Sequence, residues 1–133
     1  MIVCSDNMNQ VKKTGLSRFY YATKYSFQGI AAAYREEPAF RYEVAAMLVM
    51  VPAAFWLAES GMQLALLLAC CLLVLAFEIV NSAIEAVVDR WGTEYHELAG
   101  RAKDMGSAAV FIMLIMTVTV WLCVFYDNGY LNF

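Results

Sequence analysis

A chain of 133 residues has room for one domain, and 62% of this one is apolar while only 16% is charged. A small water-soluble fold would have to expose much of that apolar surface, so the composition excludes the ordinary soluble enzyme and points to a bilayer as the solvent. The net charge of −3 decides less than where the charges fall, and nucleic acid is not an expected partner.

Residues Met1 to Gly15 carry no periodicity and read as a loose tail. Met1 to Gln10 is mostly polar and lacks an apolar core, so no cleavable signal peptide is expected. Residues 17–35 read as an amphipathic helix. Phe19, Phe27, Ile30 and Tyr34 fall within one narrow arc, with Ser17, Lys24, Gln28 and Arg35 opposite. Four tyrosines (Tyr20, Tyr21, Tyr25 and Tyr34) suit a ring half in water, and the flanking basic residues favour a helix lying in the headgroup plane.

Glu36-Glu37-Pro38 is a break, because the residue before proline avoids the helical region and proline suits the first helical position. Glu37 therefore stands at the mouth of the next helix. Residues 38–58 form a first span, with Arg41 and Glu43 in its first turns, Pro52 expected to kink it and Trp56 at the far interface. Glu59-Ser60-Gly61 reads as a tight polar turn. A second span covers residues 62–89, and a polar loop from Arg90 to Asp104 precedes a third at 105–126. Ala102, Gly106 and Ala109 give that third segment a small-residue face suited to close helix contact.

All basic residues lie at or before Arg41 or in the loop after the second span, which puts the N-terminus and the loop in the cytoplasm and the C-terminus outside. The cysteines (Cys4, Cys70, Cys71 and Cys123) lack metal spacing and read as small hydrophobes rather than a disulfide framework.

Within the second span, an apolar run from Leu64 to Phe77 passes without a turn into Glu78, Asn81, Ser82, Glu85 and Asp89. On a helix Glu78, Ser82, Glu85 and Asp89 share one stripe with Asn81 beside it, and Glu78 and Glu85 stand about 10 Å apart along the axis. A carboxylate row entering a membrane helix is costly and marks function. The topology collects Glu37, Glu78, Asn81, Glu85, Asp89, His96, Lys103 and Asp104 on one side. Carboxylates beside a lysine suit a hard cation carrying a polyphosphate, and a carboxylate removed from water can act as base toward a lipid hydroxyl. The same stripe suits a proton- or cation-coupled transporter equally well, or a polar contact in an inactive membrane subunit. No GxxxxGK[ST] or glycine-rich kinase loop is present, so a kinase here needs a fold of its own.

The run Glu78-Ile79-Val80-Asn81-Ser82-Ala83-Ile84-Glu85-Ala86-Val87-Val88-Asp89, followed by Ala102-Lys103-Asp104, resembles the signature of bacterial integral-membrane diacylglycerol kinases, E-x-x-N-[ST]-A-x-E-x-x-[VI]-D and then A-K-D. Gly29 and Ala39-Phe40-Arg41 also fit, and the resemblance extends from about Arg18 to Tyr126. It implies an all-α membrane protein, with an N-terminal surface helix and three transmembrane helices, assembled as a homotrimer with active sites shared between subunits. It implies phosphorylation of diacylglycerol to phosphatidic acid at the bacterial inner membrane, with ATP as co-substrate and Mg²⁺ as cofactor. By that resemblance Glu78 is the general base supported by Asn81, and Glu37 and Glu85 hold the metal. Arg18, Tyr25, Glu37, Glu85, Glu94, His96, Lys103 and Asp104 meet ATP. Arg18, Arg41, Glu43, Trp56, Glu78 and Ser107 meet the lipid substrate or its surroundings. Asp89 reads as a helix-end carboxylate paired with Arg90 or Arg101. Undecaprenol kinases carry a similar signature, and the string Gly100-Arg101-Ala102-Lys103-Asp104-Met105-Gly106-Ser107 leans toward the diacylglycerol branch.

Overall fold

A computed structural model describes residues 15–90 and 96–130. Four helices follow one another: α1 (Leu16–Glu36), α2 (Pro38–Leu57), α3 (Gly61–Asp89) and α4 (Glu97–Asp127). The last three are long and apolar enough to cross a membrane. α3 runs antiparallel to α4, with Gln63 meeting Asp127 and Asn128 at one end and Asp89 meeting Lys103 at the other, and it packs most extensively on α4, then on α2.

The local chemistry of each boundary is legible. Gly15 precedes α1 with φ 75°, a left-handed conformation that glycine adopts without a steric penalty. Glu37 alone joins α1 to α2, extended at φ −105° and ψ 111°, as the proline after it requires. Pro38 opens α2, and the helix runs unbroken through Pro52. Ser60 caps α3, its Oγ accepting from the Gln63 amide at 3.2 Å. α4 differs from expectation. It begins at Glu97, eight residues before the expected span, so Lys103 and Asp104 ride on a helix and not in a loop. Polarity marks where a span leaves the hydrocarbon, whereas Leu98-Ala99 and Arg101-Ala102-Lys103 are good helix formers that carry the helix past that boundary.

The core is a stripe. On α3 the buried positions Leu67, Cys71, Val74, Glu78 and Asn81 recur by alternate steps of four and three along one face, with Cys70 beside them. At one end Leu67 meets Ala54, Leu57 and Val124, with Val120, Trp121 and Phe125 around them. Midway, Thr117 Oγ1 donates to Met113 O at 2.9 Å and reaches Cys70 O at 3.4 Å across the helix pair. Cys70 and Cys71 are buried free thiols and Cys123 is an exposed one.

The end that joins α2 to α3 is tied by polar groups. Gln63 Nε2 donates to Asp127 Oδ2 at 2.8 Å and to Asn128 Oδ1 at 2.7 Å, while its Oε1 accepts from the Glu59 amide at 2.8 Å. Asn128 Nδ2 in turn donates to Leu57 O at 2.7 Å, satisfying a carbonyl left open at the end of α2. Tyr130 lies between Trp56 and Phe125, with ring centroids 6.1 and 6.0 Å away.

Candidate functional site

Because the apolar stripe of α3 keeps its azimuth, it carries Glu78 and Asn81 inward with Leu67 and Val74. Glu78 is only 6% exposed. α4 can approach so closely because Gly106 faces Asn81. A Cβ at Gly106 would run into Asn81 Oδ1. The small-residue face of α4 therefore sits where the polar stripe of α3 turns inward, and Ala102, Gly106 and Ala109 line a shallow apolar groove with Phe77, Asn81 and Ile84.

The polar atoms sort into engaged and open ones. Asn81 Nδ2 donates to Glu85 Oε1 at 3.1 Å, which fixes both side chains one turn apart. Asn81 Oδ1 is buried with no hydrogen-bond partner. The Ser82 hydroxyl donates to Glu78 O at 2.9 Å and is thereby directed at its own helix. Glu43 Oε2, on α2, is likewise buried and unpartnered. Glu37, Glu43 and Glu85 all lie near enough to Glu78 for their charges to act on it. Lys103 projects from α4 toward this group. Its Nζ is 2.7 Å from Asp89 Oδ1, and its charge also reaches Glu85 and Glu37.

The mouth of α2, the last turns of α3 and the first turns of α4 thus converge on one buried carboxylate, three more acidic groups around it and one ammonium. Such a set is short of positive charge and can accept a cation. Among the described residues no three His, Cys, Asp or Glu side chains gather as a metal cage. The donor set instead fits a hard ion shared between one or two carboxylates and an incoming phosphate, as Mg²⁺ is commonly bound. The unpartnered Asn81 Oδ1 lies instead at the close contact with Gly106 on α4.

Other expected site residues are less gathered. His96 is the residue before α4 and its exposed ring makes no capping bond. Asp104 and Ser107 are exposed on α4. Tyr25 is exposed on α1, its ring 6.2 Å from that of Tyr21. Arg18 lines a shallow depression with Gly15, Phe19 and Ala22, about 27 Å along α1 from Glu36. Trp56 is at the opposite end of α2, beside Tyr130. Arg41 Nη1 donates to Arg35 O at 3.0 Å and to Tyr34 O at 3.3 Å. Glu94 lies outside the described residues. Asp89 is the residue whose place the sequence missed. It pairs with Lys103 and not with Arg90 or Arg101, because the helical start of α4 carries Lys103 back toward the end of α3. Its position as the last member of the Glu78 stripe was the available signal.

Comparison with known proteins bears on this arrangement. The sequence model of the prokaryotic diacylglycerol kinase family matches residues 24–125. The chain is 53% identical over 108 residues to a diacylglycerol kinase of Escherichia coli K12, covering 81% of this chain and 88% of that one. It is 49% identical over 110 residues to one from Haemophilus influenzae, covering 83% and 93%, and 50% identical over 109 residues to one from Pseudomonas aeruginosa, covering 82% and 89%. Arg18 precedes the residues that the family model matches.

Proposed function

Since the chain belongs to the prokaryotic diacylglycerol kinase family and is a lipid kinase, we propose that it moves the γ-phosphate of ATP onto the primary hydroxyl of diacylglycerol, with Glu78 as the base. Family membership decides between the phosphotransferase and the transporter that the carboxylate stripe left open. One observation carries the assignment of the base: Glu78 is the buried member of the carboxylate group, on the stripe that continues the apolar core.

In this reading the lipid hydroxyl meets Glu78, whose carboxylate takes the proton as the new O–P bond forms and the bond from the γ-phosphorus to the bridging oxygen of ADP breaks. Asn81 supports the base and phosphate by holding Glu85 through its amide. Glu37 and Glu85 would hold Mg²⁺ together with the phosphates, and the ion would supply charge neutralisation there. Lys103 meets phosphate charge, exchanging its bond to Asp89 for the nucleotide. Tyr25, His96, Asp104, Glu94 and Arg18 form the nucleotide's outer contacts. Glu43 and Ser107 flank the lipid, whose tails the apolar groove beside Asn81 can accept.

The basic residues gather at the same end as the site, whereas Glu59 and Asp127 are the charges at the other. That asymmetry supports a site facing the cytoplasm of the bacterial inner membrane, with the C-terminus outside. α1, whose aromatic residues Phe19, Phe27 and Tyr34 are exposed, then lies in the headgroup layer.

A homotrimer with shared sites finds support on α3. Met62, Leu66, Ala69, Leu73, Ala76, Val80, Ala83 and Val87 are all exposed and recur in alternate steps of four and three. This is the seam of a coiled coil with small and large residues interleaved, suited to a second copy of the same helix. Val80 adjoins Asn81, so a neighbour seated there would border the site.

The test is transfer of labelled γ-phosphate by purified protein in mixed micelles with Mg²⁺, offering diacylglycerol and undecaprenol separately. Phosphatidic acid from the native protein and none from Glu78→Gln is the expected result. Transfer to undecaprenol alone would move the substrate to the sister branch, and transfer to neither by folded protein would overturn the reading.

A further inference from the structure

We propose that Arg41 is a positioning residue that clips α1 to α2 across the one-residue joint at Glu37 and thereby sets where the Glu37 carboxylate stands. The proposal rests on the phosphotransfer reading for its kinetic consequence, though not for the clip itself.

The need for a clip follows from Pro38. In a helix the carbonyl of Tyr34 would accept from the amide four residues on, and that residue is Pro38, which has no N–H. The proline that opens α2 therefore deprives the last turn of α1 of a donor. Ala33 O is served by the Glu37 amide at 2.9 Å, the last backbone bond before the joint. Arg41, in the first turn of α2, supplies the missing group: one guanidinium nitrogen donates to Tyr34 O at 3.3 Å and to Arg35 O at 3.0 Å. Its own amide donates back to Glu37 O at 3.3 Å. A cation is also the favoured charge at a helix C-terminus.

Glu37 is enclosed by these bonds. It is the only residue between two helices, its backbone is extended, and its direction depends on the angle at which α1 leaves α2. Its charge acts on both Glu78 and Lys103, so it lies within electrostatic reach of the site. Among the described residues α1 packs sparsely on α2 and α3, and Ala33 is a buried side chain on it. Beside that packing, the two bonds from Arg41 join the helices directly at the joint and so help to fix the angle. Arg41 thus acts through Glu37, and its guanidinium is turned toward α1 rather than toward the lipid.

The test uses full-length Arg41→Gln and Arg41→Lys in mixed micelles. Hydrogen exchange of peptides covering residues 31–37 reads the clip without turnover. Arg41→Gln is expected to speed exchange there about five-fold, the scale of one lost hydrogen bond. It is also expected to raise KM for Mg-ATP about five-fold while KM for diacylglycerol moves less than about two-fold. Arg41→Lys, which keeps the cation and can reach a carbonyl, should restore most of both. Unchanged exchange in Arg41→Gln would overturn the clip. A rise confined to KM for diacylglycerol would overturn it too and make Arg41 a lipid contact. Absence of transfer by the native protein would sink the phosphotransfer reading alone, since the exchange measurement judges the clip independently.

Discussion

Lys103 Nζ stands 2.7 Å from Asp89 Oδ1, joining the first turns of α4 to the last residue of α3. The pair is half open to solvent, and such ion pairs contribute little to stability, about 0–1 kcal/mol. Its consequence is direction: an ammonium on a flexible stem is held at Asp89, within electrostatic reach of Glu85 and Glu37. Lys103→Met should lower phosphate transfer about a hundred-fold, the scale of losing one charge aimed at a phosphoryl group. Asp89→Asn should cost only a few-fold in transfer and leave the thermal midpoint nearly unchanged. Initial rates and melting in the same detergent check both.

Glu78→Gln should reduce kcat by about two to four orders of magnitude, the usual contribution of a general base. Its thermal stability should match or exceed that of the native protein, because the amide removes one of several mutually repelling carboxylates. A variant that is both inactive and unfolded would contradict this.

Glu37→Gln and Glu85→Gln should raise the Mg²⁺ concentration needed for half-maximal transfer, by about ten-fold each, as each loses one anionic ligand. Titration of Mg²⁺ at fixed ATP reads this directly. Glu85→Gln keeps an oxygen for Asn81 Nδ2, so its effect should be on the metal more than on the fold.

Gly106→Leu should destabilise by about 1–3 kcal/mol, the range for overpacking a tight contact, and should depress transfer because Asn81 must move. Ala109→Leu, on the same helix face but partly exposed, should do less. Thermal denaturation of the two variants side by side provides the comparison.

Gln63→Leu or Asn128→Ala should lower stability by about 1–2 kcal/mol through lost hydrogen bonds while leaving both KM values near native. Neither residue is near Glu78.

Much of this was legible from residues alone. Three spans, the Pro38 boundary and the stripe from Glu78 to Asp89 follow from composition and helical period, which are local properties. What escaped depends on one helix meeting another. The partner of Asp89 could not be chosen without knowing that α4 starts at Glu97. Glu43 was expected beside the lipid, and only the packing of α2 on α3 brings it near Glu78. Arg41 was expected near the headgroups by its depth, and its bonds to the Tyr34 and Arg35 carbonyls appear only once α1 and α2 are placed together. Gly106 was read as part of a small-residue face, and the side chain it makes room for, Asn81, appears only when the two spans are placed together.

The tie made by Gln63, Asp127 and Asn128 gives the bundle two unlike ends. One is fastened by short bonds among carboxamide, carboxylate and backbone groups and closed by an aromatic clasp. The other packs through Gly106 against Asn81 and carries the acidic groups and Lys103 at its edge. Ionic conditions therefore act on one end of the bundle, while the opposite end must be loosened by heat before the three spans part.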